Sequence, residues 1–201
     1  MSSIVIAGNT SGAITIAAPA EAGLNTLTLP ASTGTVALTS DIPAPVTAVQ
    51  THLTTTSSQS NSANTRTNIS GLNATITPST TSKRIKITIR WNGEHSSTIN
   101  HDTIFGIKRD TTDIGNPAAA GSRSVGMAIV AQGFSAYDAD STPDSATYTY
   151  IDSPATTSAT TYHATFMQRT TGTLYNQRTV ADSNAAGYER LTSNIILQEI
   201  D

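Results

Sequence analysis

Between residues 83 and 91 an apolar side chain falls on every second position: Ile85, Ile87, Ile89 and Trp91 alternate with Lys86, Thr88 and Arg90. A period of two sends successive side chains to opposite faces of a strand, so this segment buries one face and wets the other. The same reading assigns strands to 69–77, 103–109 (Phe105 and Ile107 inward), 124–131, 146–151 (Tyr148, Tyr150), 161–168 (Tyr162, Ala164, Phe166), 173–176 and 193–200. Gly, Asn, Asp and Pro fill the intervals, as turns require. No segment after Asn68 has a helical period. The expected fold is therefore all-β, an antiparallel sandwich of two sheets arranged like a jelly roll.

The first forty residues alternate too, but thinly. Ile14 and Ile16, Leu27 and Leu29, and Val36 and Leu38 each flank one small residue, with Gly or Pro between the segments. Ordering such a backbone costs more than a few aliphatic side chains return. The segment needs a partner surface, most simply sister chains wound about a common axis. Pro43 and Pro45 lack amide donors and hold the chain extended. The organisation expected is thus a short intertwined β-module over 1–41, a Pro-rich linker over 42–47 and the sandwich over 48–201. Val46, Val49 and Leu53 stand at helical spacing and would allow a two-turn coiled coil; the Thr-rich run through residue 56 favours a strand instead. Residues 54–67 have the polar composition of a mobile loop.

Charged residues make up only 12% of the 201 residues, about half the ~25% of an ordinary soluble domain. Thr and Ser take their place, which suits hydroxyl-covered β-sheets. Eleven basic residues and a net charge of −3 leave no footprint for nucleic acid. The pairs at 83–84 and 108–109 stand at strand ends, where basic side chains discourage edge pairing. The absence of cysteine excludes disulfides and thiolate zinc sites. No apolar run nears the about 20 residues that cross a bilayer, so membrane insertion is not expected. No signal-peptide pattern is visible at the start, which points to synthesis in a cytoplasm.

Enzymatic chemistry finds little support. A Gly-x-Ser-x-Gly elbow is missing, and 121–126 has the wrong spacing for one. The four glutamates, Glu21, Glu94, Glu189 and Glu199, are too scattered for the paired carboxylates of a glycosidase. Asp138, Asp140 and Asp144 open like a calcium loop, yet Pro143 stands where that loop needs glycine and Thr149 where it needs glutamate. They read as a solvated turn. His95, His101 and Asp102 could meet a metal around a threefold axis, but the plain reading is a solvated loop. No catalytic, cofactor or metal site is expected. A recognition surface fits better, because sugar binding needs aromatic faces beside hydroxyl, amide and carboxylate groups on loops. The candidate glycan contacts are Phe134, Tyr137, Asp138 and Asp140 in one loop, with Tyr175, Asn176, Arg178 and Tyr188 in or near others. Trp91 is assigned to the core or a subunit interface.

Residues 12–41, with Ala-Pro-Ala at 18–20, Gly-Leu-Asn-Thr-Leu-Thr-Leu-Pro at 23–30 and Thr-Gly-Thr-Val-Ala-Leu-Thr-Ser-Asp at 33–41, resemble an N-terminal module of tailed-bacteriophage tail fibres and related virion fibres, of the type found in phages of cyanobacteria and other aquatic bacteria. The remainder resembles the small β-domain that often follows it, through looser features at 72–78 and 151–157. The resemblance implies a non-enzymatic homotrimeric virion protein, made in a host bacterium. Its residues 1–41 would join tail, baseplate or capsid proteins, and its sandwich would face host polysaccharide or lipopolysaccharide. A decoration fibre without receptor role and a secreted carbohydrate-binding adhesin are the alternatives.

Overall fold

The computed structural model describes residues 3–7, 13–17, 47–96, 103–119, 121–130 and 140–201. Among these every regular element is a β-strand. The chain divides into two units, Met1–Ala44 and Pro45–Asp201. In the first, β1 (Ser3–Ala7) and β2 (Ala13–Ala17) form an antiparallel hairpin with Ser3 opposite Ala17 and Ala7 opposite Ala13. The alternating segments around Leu27 and Val36, and linker residues 42–46, lie outside the described residues.

Among the described residues the second unit holds eleven strands: β3 (Ala48–His52), β4 (Ser57–Asn61), β5 (Thr67–Ile76), β6 (Arg84–His95), β7 (Thr103–Arg109), β8 (Thr112–Ile114), β9 (Ala128–Val130), β10 (Asp144–Asp152), β11 (Thr160–Gln168), β12 (Gly172–Asn176) and β13 (Asn194–Ile200). They form two antiparallel sheets. In the first, β6 has β10 along one flank, while β13 and β12 follow each other along the other flank. β3 and β4 close the edges. In the second, the order is β5-β11-β7, and β8 and β9 share the outer flank of β7.

The sheets face each other as in a β-sandwich, and the core lies between them. Ile85, Ile87, Ile89 and Trp91 are all fully buried while Arg84, Lys86 and Arg90 stay exposed, so the alternation of β6 is realised as read. Phe105, Ile107, Tyr162, Ala164 and Phe166 face them from the second sheet. The Trp91 and Phe105 rings meet across the core at 4.8 Å, and Tyr148 donates its hydroxyl to the Gly106 carbonyl at 3.1 Å. At one margin Tyr162 donates to Asp152 at 2.7 Å, and Arg109 holds both oxygens of the same carboxylate at 3.1 and 3.0 Å. Burial, and then the bond to Asp152, push the Tyr162 phenol well above its ordinary range.

Residues 48–52 form the strand that the Thr-rich run favours over a coiled coil, paired with β13. Two expectations are corrected. The polar stretch 54–67 is not simply a loop, since β4 pairs residue by residue with β12. Its period-two signal is carried by polar groups: Ser57, Gln59 and Asn61 turn inward while Ser58 and Ser60 face solvent. Gln59 donates to the Asn68 carbonyl at 2.6 Å and accepts from the Ser70 amide at 3.0 Å, which replaces apolar packing on the inner face. β6 does not stop at Trp91. It continues through Asn92, Gly93, Glu94 and His95, all buried, so His95 is not a solvated loop residue.

Candidate functional site

The polar end of β6 is buried because the segment joining β12 to β13 folds over it. The Asn92 backbone amide donates to the Ser193 hydroxyl at 2.9 Å, its Nδ2 donates to the Thr192 carbonyl at 2.6 Å, and its carbonyl accepts the Gln177 amide at 2.8 Å. Glu94 accepts the Val180 amide at 2.7 Å. His95 Nδ1 lies 2.9 Å from Thr103 Oγ1. These bonds satisfy groups whose burial would otherwise be costly, and they fix the base of the 177–193 segment against the sheet.

Gln177 is the pivot of that segment. Its backbone is left-handed, with φ of 63°. Its Nε2 donates to the Thr55 carbonyl at 3.2 Å and its Oε1 accepts the Ser193 amide at 2.8 Å. One side chain thus ties the β3–β4 connection to both ends of the covering segment. A cleft of about 490 Å³ opens there, lined by Leu53, Thr54, Thr55, Thr56, Gln177, Arg190, Leu191 and Thr192.

Beside it stands a charged cluster. The Arg178 guanidinium lies 4.6 Å from the centre of the Tyr175 ring, a cation–π contact. Arg178 donates to the Thr179 and Val180 carbonyls, each at 3.2 Å, and faces Asp182 at 3.6 Å. Asp182 also binds Arg190 at 2.7 Å, and Arg190 donates to Thr56 Oγ1 at 3.2 Å. A backbone bridge pairs Arg178 with Arg190. Asp182 therefore spans two guanidiniums and holds their planes in place, a geometry that reduces the ordering cost of a ligand reaching them.

The expected contacts divide into three groups. Tyr175, Arg178 and Tyr188 are half-buried at this end of the sandwich, and the Asp140 carbonyl joins them by accepting the Ala181 amide at 3.0 Å. Asn176 is withdrawn from the surface. It is fully buried, accepts the Trp91 indole at 2.8 Å and donates to Ser57 at 3.0 Å, so its amide serves the core. Phe134, Tyr137 and Asp138 lie outside the described residues, as do His101 and Asp102 of the possible metal loop. Sequence reasoning missed Asp182, Arg190 and Thr54–Thr56. The spacing of four between Arg178 and Asp182 was a usable signal; nothing along the chain ties Asp182 to Arg190.

The cluster can offer guanidinium and hydroxyl hydrogen bonds, with leucine faces beside them. Among the described residues no three His, Asp or Glu side chains gather as metal ligands, and no helix is long and apolar enough to cross a membrane. Compared with models of known protein families and with curated proteins, the chain matches none.

Proposed function

We propose that this chain is a non-enzymatic phage virion fibre subunit. It assembles as a homotrimer, joins the particle through residues 1–41, and presents the loop end of a jelly-roll-like sandwich to glycans on the host surface. The observation that carries the reading is the N-terminal segment. Its residues 12–41 resemble the fibre attachment module, and its hairpin pairs two strands of five residues. A lone two-stranded hairpin is marginal in water, so winding three copies together supplies the missing buried face.

The opposite half of the reading rests on the Tyr175–Arg178–Asp182–Arg190 cluster and its threonine-lined cleft. A rigid site of this kind binds a sugar weakly, and trivalent display multiplies the effect through effective concentration. Leu53 and Leu191 supply apolar faces for the C–H side of a sugar ring, while Thr54–Thr56 and Arg190 reach its hydroxyls.

Two measurements test it together. Native mass is expected at three times the chain mass, and the protein is expected in density-purified particles of the phage that encodes it. A monomer in solution refutes the winding of three copies about a common axis. Its absence from particles, with retained binding to cell-surface polysaccharide, would favour a secreted adhesin. Release of reducing ends from that polysaccharide would make it a depolymerase instead.

A further inference from the structure

Arg178 and Arg190 are paired across an antiparallel bridge, an arrangement in which like charges repel. One carboxylate serves both. Asp182 Oδ1 takes Arg190 Nη2 at 2.7 Å, and Oδ2 faces Arg178 Nη1 at 3.6 Å.

Asp182 is held for this task by its own backbone. It adopts a left-handed φ of 50°, a region that Asp and Asn enter more readily than other side chains. Its amide donates to the hydroxyl of fully buried Thr179 at 3.2 Å. The preceding amide, of Ala181, donates to the Asp140 carbonyl at 3.0 Å. Arg190, by contrast, is exposed and forms part of the cleft wall, where its Nη1 donates to Thr56 Oγ1 at 3.2 Å.

Relief of repulsion between the arginines would by itself bear only on stability. The place of Arg190 in the cleft adds a consequence for ligand choice. A carboxylate or sulfate arriving at that guanidinium finds Asp182 already on it. The newcomer must displace a charge-assisted bond or settle beside a like charge. A sugar hydroxyl meets no such penalty. It accepts from a guanidinium N–H, and the threonine hydroxyls at 54–56 serve it as donors or acceptors.

We propose that Asp182 is a specificity-determining residue that restricts the Arg190 cleft to uncharged sugars and turns away uronic acids and sulfated saccharides. The inference rests on the glycan reading above and names the class of sugar for that same site.

The test compares the full chain with Asp182→Asn, which keeps the side-chain shape and the tolerance for left-handed backbone while removing the charge. Dextran sulfate is the anionic probe. Wild-type and Arg190→Gln chains are expected to bind it alike at physiological salt, because the cleft takes no part. Asp182→Asn should bind it about tenfold more tightly than the wild type, the span of one charge-assisted contact. That gain should fade as salt rises from about 0.1 to about 1 M. Adding Arg190→Gln to Asp182→Asn should abolish the gain, an outcome that a merely structural role would not produce. Asp201→Asn, the same charge change at the opposite end of β13 from the cleft, should show no gain. Wild-type binding to host polysaccharide should be nearly indifferent to the same rise in salt, a measurement that needs no variant to fold. Weaker dextran sulfate binding in Arg190→Gln alone, no gain in folded Asp182→Asn, an equal gain in Asp201→Asn, or salt-sensitive host polysaccharide binding overturns the proposal. If host polysaccharide binds while Asp182→Asn gains nothing, the charge filter fails and the glycan reading stands. If the gain appears but host polysaccharide does not bind, the filter stands and the glycan reading fails.

Discussion

Gly93 sits where β6 passes from β13 to β12, and the structure leaves no room there for a methyl group. A Cβ at this position would lie 2.8 Å from Cζ2 of Trp91 and closer still to the backbone carbonyl oxygen of Tyr175. Neither neighbour can yield. Trp91 is fully buried against Phe105, and the Tyr175 oxygen belongs to the paired strand. Gly93→Ala must therefore push β12 away from β6, loosening the pairs Asn176–Gly93, Tyr175–Glu94 and Leu174–His95 and straining the Trp91–Asn176 bond. Overpacking costs about 1–3 kcal/mol and each weakened hydrogen bond about 1 kcal/mol net, so the expected loss is roughly 3–5 kcal/mol. That corresponds to a fall in thermal midpoint of roughly 10 °C for a domain of this size. Urea titration followed by tryptophan fluorescence reads it directly, because Trp91 is the one tryptophan. Gly187→Ala is the matched comparison, since nothing stands within 4 Å of its added methyl; it should change stability by less than about 1 kcal/mol. If Gly93→Ala is as stable as Gly187→Ala, the close approach of β6 and β12 is not what fixes the site.

Asn176→Ala should cost about 1–3 kcal/mol in urea denaturation by orphaning the buried Trp91 indole N–H; an unchanged midpoint would show that the bond contributes nothing. The Glu199 carboxyl is held below its ordinary 4.5 by the Ser79 hydroxyl and amide, both at 2.6 Å. Its stabilisation is therefore complete above that pH and is lost as pH falls through the folded value. Thermal midpoints measured from pH 6 downward should show a shallower acid limb in Glu199→Gln, and identical limbs would reject the assignment. Tyr175→Ala and Arg178→Ala should each weaken host-glycan binding about tenfold, the order of a desolvated cation–π platform, with binding to immobilised polysaccharide as the readout; full retention moves the site elsewhere. Removing residues 1–44 should preserve the unfolding midpoint of the second unit and abolish the threefold native mass; a truncated trimer would transfer the assembly role to the sandwich.

Where burial and hydropathy coincide, the strands could be read directly from the residues. Ile85, Ile87, Ile89 and Trp91 announce β6, and Tyr162, Ala164 and Phe166 announce β11, because the same side chains that alternate also fill the core. β4 escaped because its inward residues are Ser57, Gln59 and Asn61, whose packing is hydrogen bonding and not apolar contact. β8 escaped because three residues after a tight turn at Asp110 carry no period at all. The end of β6 looked like a loop because Asn92, Glu94 and His95 are polar, and their partners arrive from residues about a hundred positions away at 192–193 or from 177–180 and 103. The site shows the same division. Tyr175, Arg178 and Tyr188 were visible as aromatic and cationic side chains near a turn-rich stretch. Asn176 was misplaced because alternation along β12 turns it inward beside the half-buried Tyr175, and the Asp182–Arg190 pair depends on a chain reversal that spacing does not encode.

The segment between β12 and β13 has a consequence for how such a protein can diversify. Its two roots, Gln177–Val180 and Leu191–Ser193, are stitched to Asn92 and to Glu94, while residues 183–187 between them are all solvent-exposed. Changes at the crest leave every stitch intact, so new contact chemistry can be sampled there without any cost to the framework. A lineage under pressure to engage different surfaces would accumulate its variation at those five positions and leave the roots alone.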